Sequence, residues 1–277
     1  MTWALLAADD AGQVSRALAA ALAVAGPDEA KRLYAASAVI EGRPAAFDLV
    51  RRIVAAVDHD DWSGSTATAL ARLRDGFDRA ASVSPDAAAA LYSLGDPDLL
   101  TPITGEVVAW ITAAGLIPRG SALLEVGCGP GRYLSALAPT AGLALGVELS
   151  AVMAAEATRR LAGNSNAAVV RGSGRDLVFL ADAAFDLVLY ADSFPYIVQA
   201  GGDLAQRHIA ESARVLRPGG ALLVLNWSYV DDVADHVEEA RRLAAAVGLR
   251  PVQLGLKPFA RWDAATFVFR KPDDAAA

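Results

Sequence analysis

The sequence predicts an α/β fold: a doubly wound, mostly parallel seven-stranded sheet with an antiparallel last strand, plus an N-terminal all-helical region. Three observations point there. From residue 122 onward, short runs that are apolar on both faces alternate with helix-period segments, the pattern of a parallel sheet covered by helices on each side. The first run leads into Gly127, Gly129 and Gly131, and a helical pattern starts directly after them. Glycines there let the chain turn tightly and let a ligand approach the backbone. Before residue 99 the chain is alanine-rich, with helical periodicity and no convincing strand.

In chain order, helical patterns occur at 13–25, 46–57, 65–80 and 85–94, separated by Gly-Pro, Arg-Pro and Asp-rich breaks. Asp96-Pro97 and Thr101-Pro102 mark a join between this helical region, 1–98, and a sheet domain, 99–271. Strands are expected at 122–126, 143–147, 167–171, 185–190 and 221–226, with helices at 132–138, 151–162 and 203–216 between them. A helix at 231–247 precedes two more strands near 252–257 and 265–270. Their connection is too short for a helical crossover, so this last pair should be antiparallel. Residues 272–277 are expected to be a frayed tail.

Apolar residues make up 54% of the chain, enough for a substantial core, and the net charge is −7. Lysines and arginines form no stripe, so backbone-driven nucleic-acid binding has no support, although a basic groove assembled in three dimensions stays open. Cys128 is the single cysteine, which excludes an intramolecular disulfide and suits a reducing compartment. The first residues lack a basic n-region, and the longest early apolar run, 17–25, is far short of the ~20 residues of a membrane span. A soluble cytoplasmic protein is expected.

Two carboxylates frame the glycine turn. Glu148 ends the second strand 21 positions after Gly127, where a carboxylate can accept hydrogen bonds from both ribose hydroxyls of an adenosine group; the competing reading is a helix cap. Glu125 lies two residues before the turn. A dinucleotide site spaces its glycines G-x-G-x-x-G to seat a pyrophosphate at the helix N-terminus. Here the third glycine comes one position early and Arg132 fills the sixth place. Glu125 would repel a pyrophosphate and would suit the ammonium of a methionine-like group. Electrostatics therefore favour S-adenosylmethionine over NAD.

At these residues the chain resembles the class I S-adenosylmethionine-dependent methyltransferases, Rossmann-like in fold, in particular those acting on small molecules. The resemblance covers roughly residues 100–226 and continues less distinctly to 270. LLEVGCGPGRYL is similar to the family's first motif, which implies that Gly127, Cys128 and Gly129 line the methionine and ribose and that Glu125 faces the amino group. GVELSAVM resembles the second: Glu148 takes the ribose hydroxyls, Leu149 packs on adenine and Met153 closes its edge. RGSGRDLVF resembles the third, with Ser173 in place of the customary aspartate and Val178 in place of proline; Ser173 would bond adenine, with Gly174 and Arg175 offering backbone groups. Asp176 is open between this loop's chemistry and a turn cap. In FDLVLYADSFPYI, Tyr190 and Ala191 would present carbonyls to the methionine part. The RPGG turn at 217–220 is expected to be structural.

The acceptor side is less marked. Asp192 and Tyr196 are candidate polar contacts, against ordinary packing for Phe194 and Tyr196; the likeness of this segment to an Asn-Pro-Pro-Tyr motif fails on spacing. His208 is a candidate general base with no acidic partner at a diagnostic spacing. His59, between Asp58 and Asp60, resembles a metal cluster only in composition and reads better as an Asp-rich loop, so no metal is expected. A nucleophilic Cys128 is not expected, and Trp62, Trp110, Trp227 and Trp262 read as core or pocket lining. Tyr92, Thr101 and Thr104 are candidate contacts of a lid formed by residues 1–98, with a dimer contact as the alternative. The expected function is methyl transfer from S-adenosylmethionine to a small-molecule acceptor. The alternatives are a non-catalytic cofactor-binding module, an NAD-dependent oxidoreductase or an aminopropyltransferase.

Overall fold

Seven strands form one sheet in the computed structural model, which describes residues 11–57, 64–230 and 232–273. They are β1 (Ala122–Val126), β2 (Leu143–Glu148), β3 (Ala167–Arg171), β4 (Phe185–Ala191), β5 (Leu216–Leu225), β6 (Arg250–Leu256) and β7 (Thr266–Arg270), in the spatial order β3-β2-β1-β4-β5-β7-β6. β1 to β5 pair in parallel, and β7 runs antiparallel to both β5 and β6. This is the predicted Rossmann-like sheet. The chain winds from β1 outward to β3 and then crosses to β4, so β1 and β4 flank the point where the winding reverses. Ligands in doubly wound sheets sit beyond the strand ends at that point.

Both faces of the sheet are buried, which explains the continuous apolar runs. Leu124 and Val126 of β1 face one core with Val188, Tyr190, Leu222 and Val224; Leu123 faces the other with Leu187, Leu189, Leu223 and Leu225. Glu125 falls in register with Leu123 on a strand buried throughout. A carboxylate so placed loses its hydration, so its presence calls for a compensating partner.

The N-terminal region is helical, as predicted: α1 (Ala11–Leu22), α2 (Pro27–Glu41), α3 (Pro44–Ala56), α4 (Thr66–Val83) and α5 (Pro85–Ala89). The expected helix 85–94 instead stops at Ala89, and a 3₁₀ turn at Leu91–Ser93 ends on Leu94 in the left-handed region, φ 55°. α2 lies where no helical pattern stands out. A sixth helix, α6 (Pro97–Ala113), runs through both Asp96-Pro97 and Thr101-Pro102. Asp96 caps it and Pro97 occupies the first turn, where the missing N–H costs nothing. Pro102 is tolerated inside because Leu100, Ile103, Val107 and Ile111 anchor a buried face. The cluster around His59, with Trp62, lies outside the described residues, as do 274–277.

After β1 come α7 (Arg132–Leu137), α8 (Ala151–Arg160), α9 (Phe194–Gln199), α10 (Leu204–Val215) and α11 (Val233–Ala246). The RPGG segment is part of β5 rather than a free turn. Its backbone finds sheet partners: Gly219 N–H donates to Lys271 O at 2.9 Å, and Gly220 O accepts from Lys271 N–H at 2.9 Å. The register against β4 slips between Phe185 and Leu187 to absorb it.

Two polar ties dock the N-terminal helices onto the sheet domain. Asp78 of α4 accepts from Ser150 Oγ at 2.5 Å and from Val152 N–H at 3.2 Å, at the start of α8. Asp86 of α5 takes both terminal nitrogens of Arg160, at 2.7 and 3.1 Å. Among the described residues no helix is long and apolar enough to cross a membrane.

Candidate active site

The glycine turn exists because two strand ends meet there. Gly127 has φ +70°, and a Cβ on it would lie 2.4 Å from Ser193 Cβ. Ser193, just past β4, donates from Oγ to Val126 O at 2.5 Å, clasping the carboxyl ends of β1 and β4. Gly131, φ +79°, starts α7 with Ala157 of α8 pressed 3.1 Å from its missing Cβ. Only glycine meets both the backbone sign and the close approach.

Over this turn lies a cavity that opens to solvent. Glu125, Gly127, Cys128, Gly129, Glu148, Leu149, Met153, Gly174 and Ala191 line it, so most of the predicted cofactor residues converge. Glu148 accepts from Gly129 N–H through Oε2 and from Ser150 N–H through Oε1, both at 2.8 Å. It thereby pins the glycine turn to β2. The helix cap itself is Ser150, whose Oγ accepts from Met153 N–H at 3.1 Å. Each oxygen of Glu148 keeps a lone pair for a further donor. Burial pushes its pKa up.

Glu125 is 2% exposed, and its Oε2 has no hydrogen-bond partner. Burial pushes its pKa to about 8, with Arg132 pulling the other way. An orphaned carboxylate oxygen on a cavity wall fits a cationic ligand group, which is how an S-adenosylmethionine ammonium would be met. Arg132 lines the same cavity. Its guanidinium donates from Nη2 to Tyr92 Oη at 2.7 Å and lies 4.3 Å from the centre of the Tyr133 ring. Tyr92 stacks on Trp262 behind it, ring centres 5.4 Å apart. Cys128 is buried, and burial raises its thiol pKa well above the usual value, the opposite of an activated nucleophile.

Several expectations need correcting. Ser173 and Arg175 border a neighbouring groove rather than the main cavity, because Ser173 Oγ is turned back to accept from Arg175 N–H at 3.2 Å. Asp176, left open by the sequence, lines the cavity. Tyr190 is expected only to offer its backbone carbonyl; its side chain points into the core, with the hydroxyl 3.2 Å from His208 Nδ1 and 3.0 Å from Ser212 Oγ. His208 borders the cavity but is not free to act as a base. Its Nε2 donates to Gly174 O at 2.9 Å, which leaves Nδ1 as the acceptor facing Tyr190, and burial lowers its pKa. Tyr92 backs Arg132 instead of lining the cavity. Thr101 and Thr104 do not line it either; Thr104 Oγ1 donates to Leu100 O of its own helix at 2.9 Å.

At the acceptor side, Asp192 and Tyr196 both line the cavity, while Phe194 is core. Asp192 follows β4 at φ 60° and Asn226 follows β5 at φ 64°, a strained geometry for side-chain-bearing residues that tends to gather at functional sites. They hold one another: Asn226 Nδ2 donates to Asp192 Oδ1 at 2.7 Å, and Tyr229 Oη donates to the same oxygen at 3.0 Å. Burial raises the Asp192 pKa. Tyr196 meets Tyr229 and Phe77 edge-on. Leu70, Leu73 and Phe77 of α4 complete the wall. Sequence reasoning missed Asn226, Tyr229 and the α4 residues, and no local motif marks them.

Comparison with known proteins shows what the chain is similar to. Residues 124–224 match the family model described as a methyltransferase domain. A demethylmenaquinone methyltransferase of Clavibacter sepedonicus is 28% identical over 138 residues, 50% of this chain and 51% of that protein. The chain thus spans about half the length of this curated relative. A TehB-like SAM-dependent methyltransferase of Corynebacterium glutamicum aligns with TM-score 0.50 and 25% identity, covering 67% of this chain and 98% of its own. The magnesium protoporphyrin IX methyltransferase of Synechocystis PCC 6803, solved with bound SAM, shares the fold at TM-score 0.55 and 18% identity, over 76% and 99% of the two chains. Residues 124–224 are thus similar to a methyltransferase domain, and the sheet has the fold of these solved structures.

Proposed function

We propose that this chain binds S-adenosylmethionine over the glycine turn and transfers its methyl group to a small-molecule acceptor. The observation that carries the reading is the pair of buried carboxylates on one cavity wall, Glu148 braced on the turn and Glu125 with an unpartnered oxygen. Glu148 would accept from the ribose hydroxyls and Glu125 from the ammonium. Leu149 and Met153 would flank adenine, with Gly174 offering backbone. Gly127, Cys128, Gly129 and the Ala191 carbonyl would line the methionine part. A pyrophosphate in the same place would bring no cation to the unpartnered oxygen of Glu125 and would hold that carboxyl protonated, which disfavours a dinucleotide.

The bound sulfonium supplies the electrophilic methyl. The protein's share is alignment and exclusion of water. Asp192 and Tyr196 would meet the acceptor, and residues 1–98 would act as the lid that selects it, α4 contributing Leu70, Leu73 and Phe77. The small-molecule acceptor is supported by the name of the Clavibacter relative. Calorimetric titration with S-adenosylmethionine, S-adenosylhomocysteine and NADH tests the reading. Micromolar-range binding of the first two is expected, none of NADH, and severe weakening by Glu148→Ala. Binding of NADH, or of none of the three, sinks it.

A further inference from the structure

We propose that the groove between α4 and the loop after β3 is a second ligand site, which takes a small phosphate-bearing anion and thereby fastens the N-terminal helices over the cavity. The chain carries a net charge of −7, and its basic residues form no stripe in sequence. Folding nevertheless brings three arginines to one groove: Arg74 from α4, Arg171 from the end of β3 and Arg175 from the loop that follows. Against them stands one lining carboxylate, Asp176, and Arg74 also meets Asp75 at 2.8 Å. Arg171 and Arg175 are exposed, and among the described residues neither has an ion-pair partner.

Both walls of the groove are built for this. Leu70, Ala71 and Arg74 recur at helical spacing on one face of α4. That face meets the loop closely: Leu70 Cδ2 lies 3.0 Å from where a Cβ on Gly174 would stand. Arginines brought from two elements into one groove repel. An anion between them replaces that repulsion with charge-assisted hydrogen bonds, and the several oxygens of a phosphate can be shared among planar guanidinium forks. Three such charges are too few to follow a nucleic-acid backbone, so the ligand is a small molecule. Leu70 and Leu149 line both the groove and the cavity, whereas Asp192 lines the cavity alone. The anion therefore sits at the side assigned above to adenine and is separate from the methyl acceptor. Joining α4 to the loop there steadies the wall against which the cofactor binds, so anion and cofactor should strengthen each other's binding by the same factor. This coupling rests on the S-adenosylmethionine reading; the anion site does not.

The test is calorimetry on the full chain with inorganic pyrophosphate as the probe, at fixed ionic strength in chloride so that screening is constant. The wild type should bind pyrophosphate, and Arg74→Gln combined with Arg171→Gln should weaken it at least about tenfold, the yield of one charge-assisted hydrogen bond. Saturating pyrophosphate should tighten S-adenosylhomocysteine about fivefold or more. The double variant should lose that gain while binding S-adenosylhomocysteine alone as the wild type does. No pyrophosphate binding, or binding undiminished in the double variant, overturns the site. So does pyrophosphate that weakens S-adenosylhomocysteine, since it would then occupy the cofactor cavity. Equal S-adenosylhomocysteine affinity with and without pyrophosphate overturns the fastening role, and a single-stranded oligonucleotide that binds more tightly than pyrophosphate overturns the small-molecule assignment. If the double variant does not fold, Arg171→Gln alone decides. Failure of the wild type to bind S-adenosylhomocysteine at all would defeat the cofactor reading, and the pyrophosphate titration would still decide the site.

Discussion

A buried carboxylate with one unpartnered oxygen is an argument about ligand and stability together, and Glu125 makes both. Its pKa is raised by burial to about 8 from 4.5, so at neutral pH the folded, cofactor-free protein holds a proton there that the unfolded chain has lost. Between about pH 4.5 and 8 the folded state binds more protons than the unfolded, and linkage makes stability fall as pH rises through that window. Glu125→Gln removes the penalty. We expect it to raise the melting temperature at pH 8.5 by a few degrees, at about 2–4 °C per kcal/mol for a chain of this size, and to leave it nearly unchanged at pH 5. S-adenosylhomocysteine should bind the variant more weakly. Equal melting shifts at both pH values would contradict the burial argument. Glu125 and Glu148 were legible because each sits at a fixed offset from the glycines. Arg132 was visible only as a spacing anomaly, since its partners Tyr92 and Trp262 are remote in sequence.

Among the elements, the loop after β3 owes its position to a helix. His208 of α10 donates to Gly174 O and stands against Tyr190 of β4, tying the loop to the middle of the sheet. His208→Ala would leave the Gly174 carbonyl without its donor. We expect S-adenosylhomocysteine affinity to fall roughly tenfold, the value of one such bond, with little change in circular dichroism. Unaltered affinity would mean the loop needs no strap. The strands and the glycine turn were readable because parallel pairing buries both faces and leaves an unbroken apolar run. Helices α2 and α6 were not. Their prolines read as breaks, whereas Pro27 and Pro97 open helices, a position where proline is already in helical geometry.

For the whole molecule, the cavity belongs to two parts of the chain. α4 contributes Leu70, Leu73 and Phe77 to its wall, and Asp78 and Asp86 fasten that region to α8. Cofactor binding should therefore slow amide hydrogen exchange in residues 66–83 as well as in 127–131. Slowing confined to the glycine turn would remove the lid reading and leave the N-terminal helices as a packing appendage.

The chain's own pattern determined the sheet, its winding, the antiparallel last strand and the two acidic positions, because these follow from local periodicity and short spacings. Only tertiary structure decided which polar groups lack partners, that His208 donates to Gly174 O, and that Asn226 and Tyr229 hold Asp192. Such facts depend on contacts between segments far apart in sequence. Periodicity records which face of a residue is buried, and it carries no information about what lies opposite.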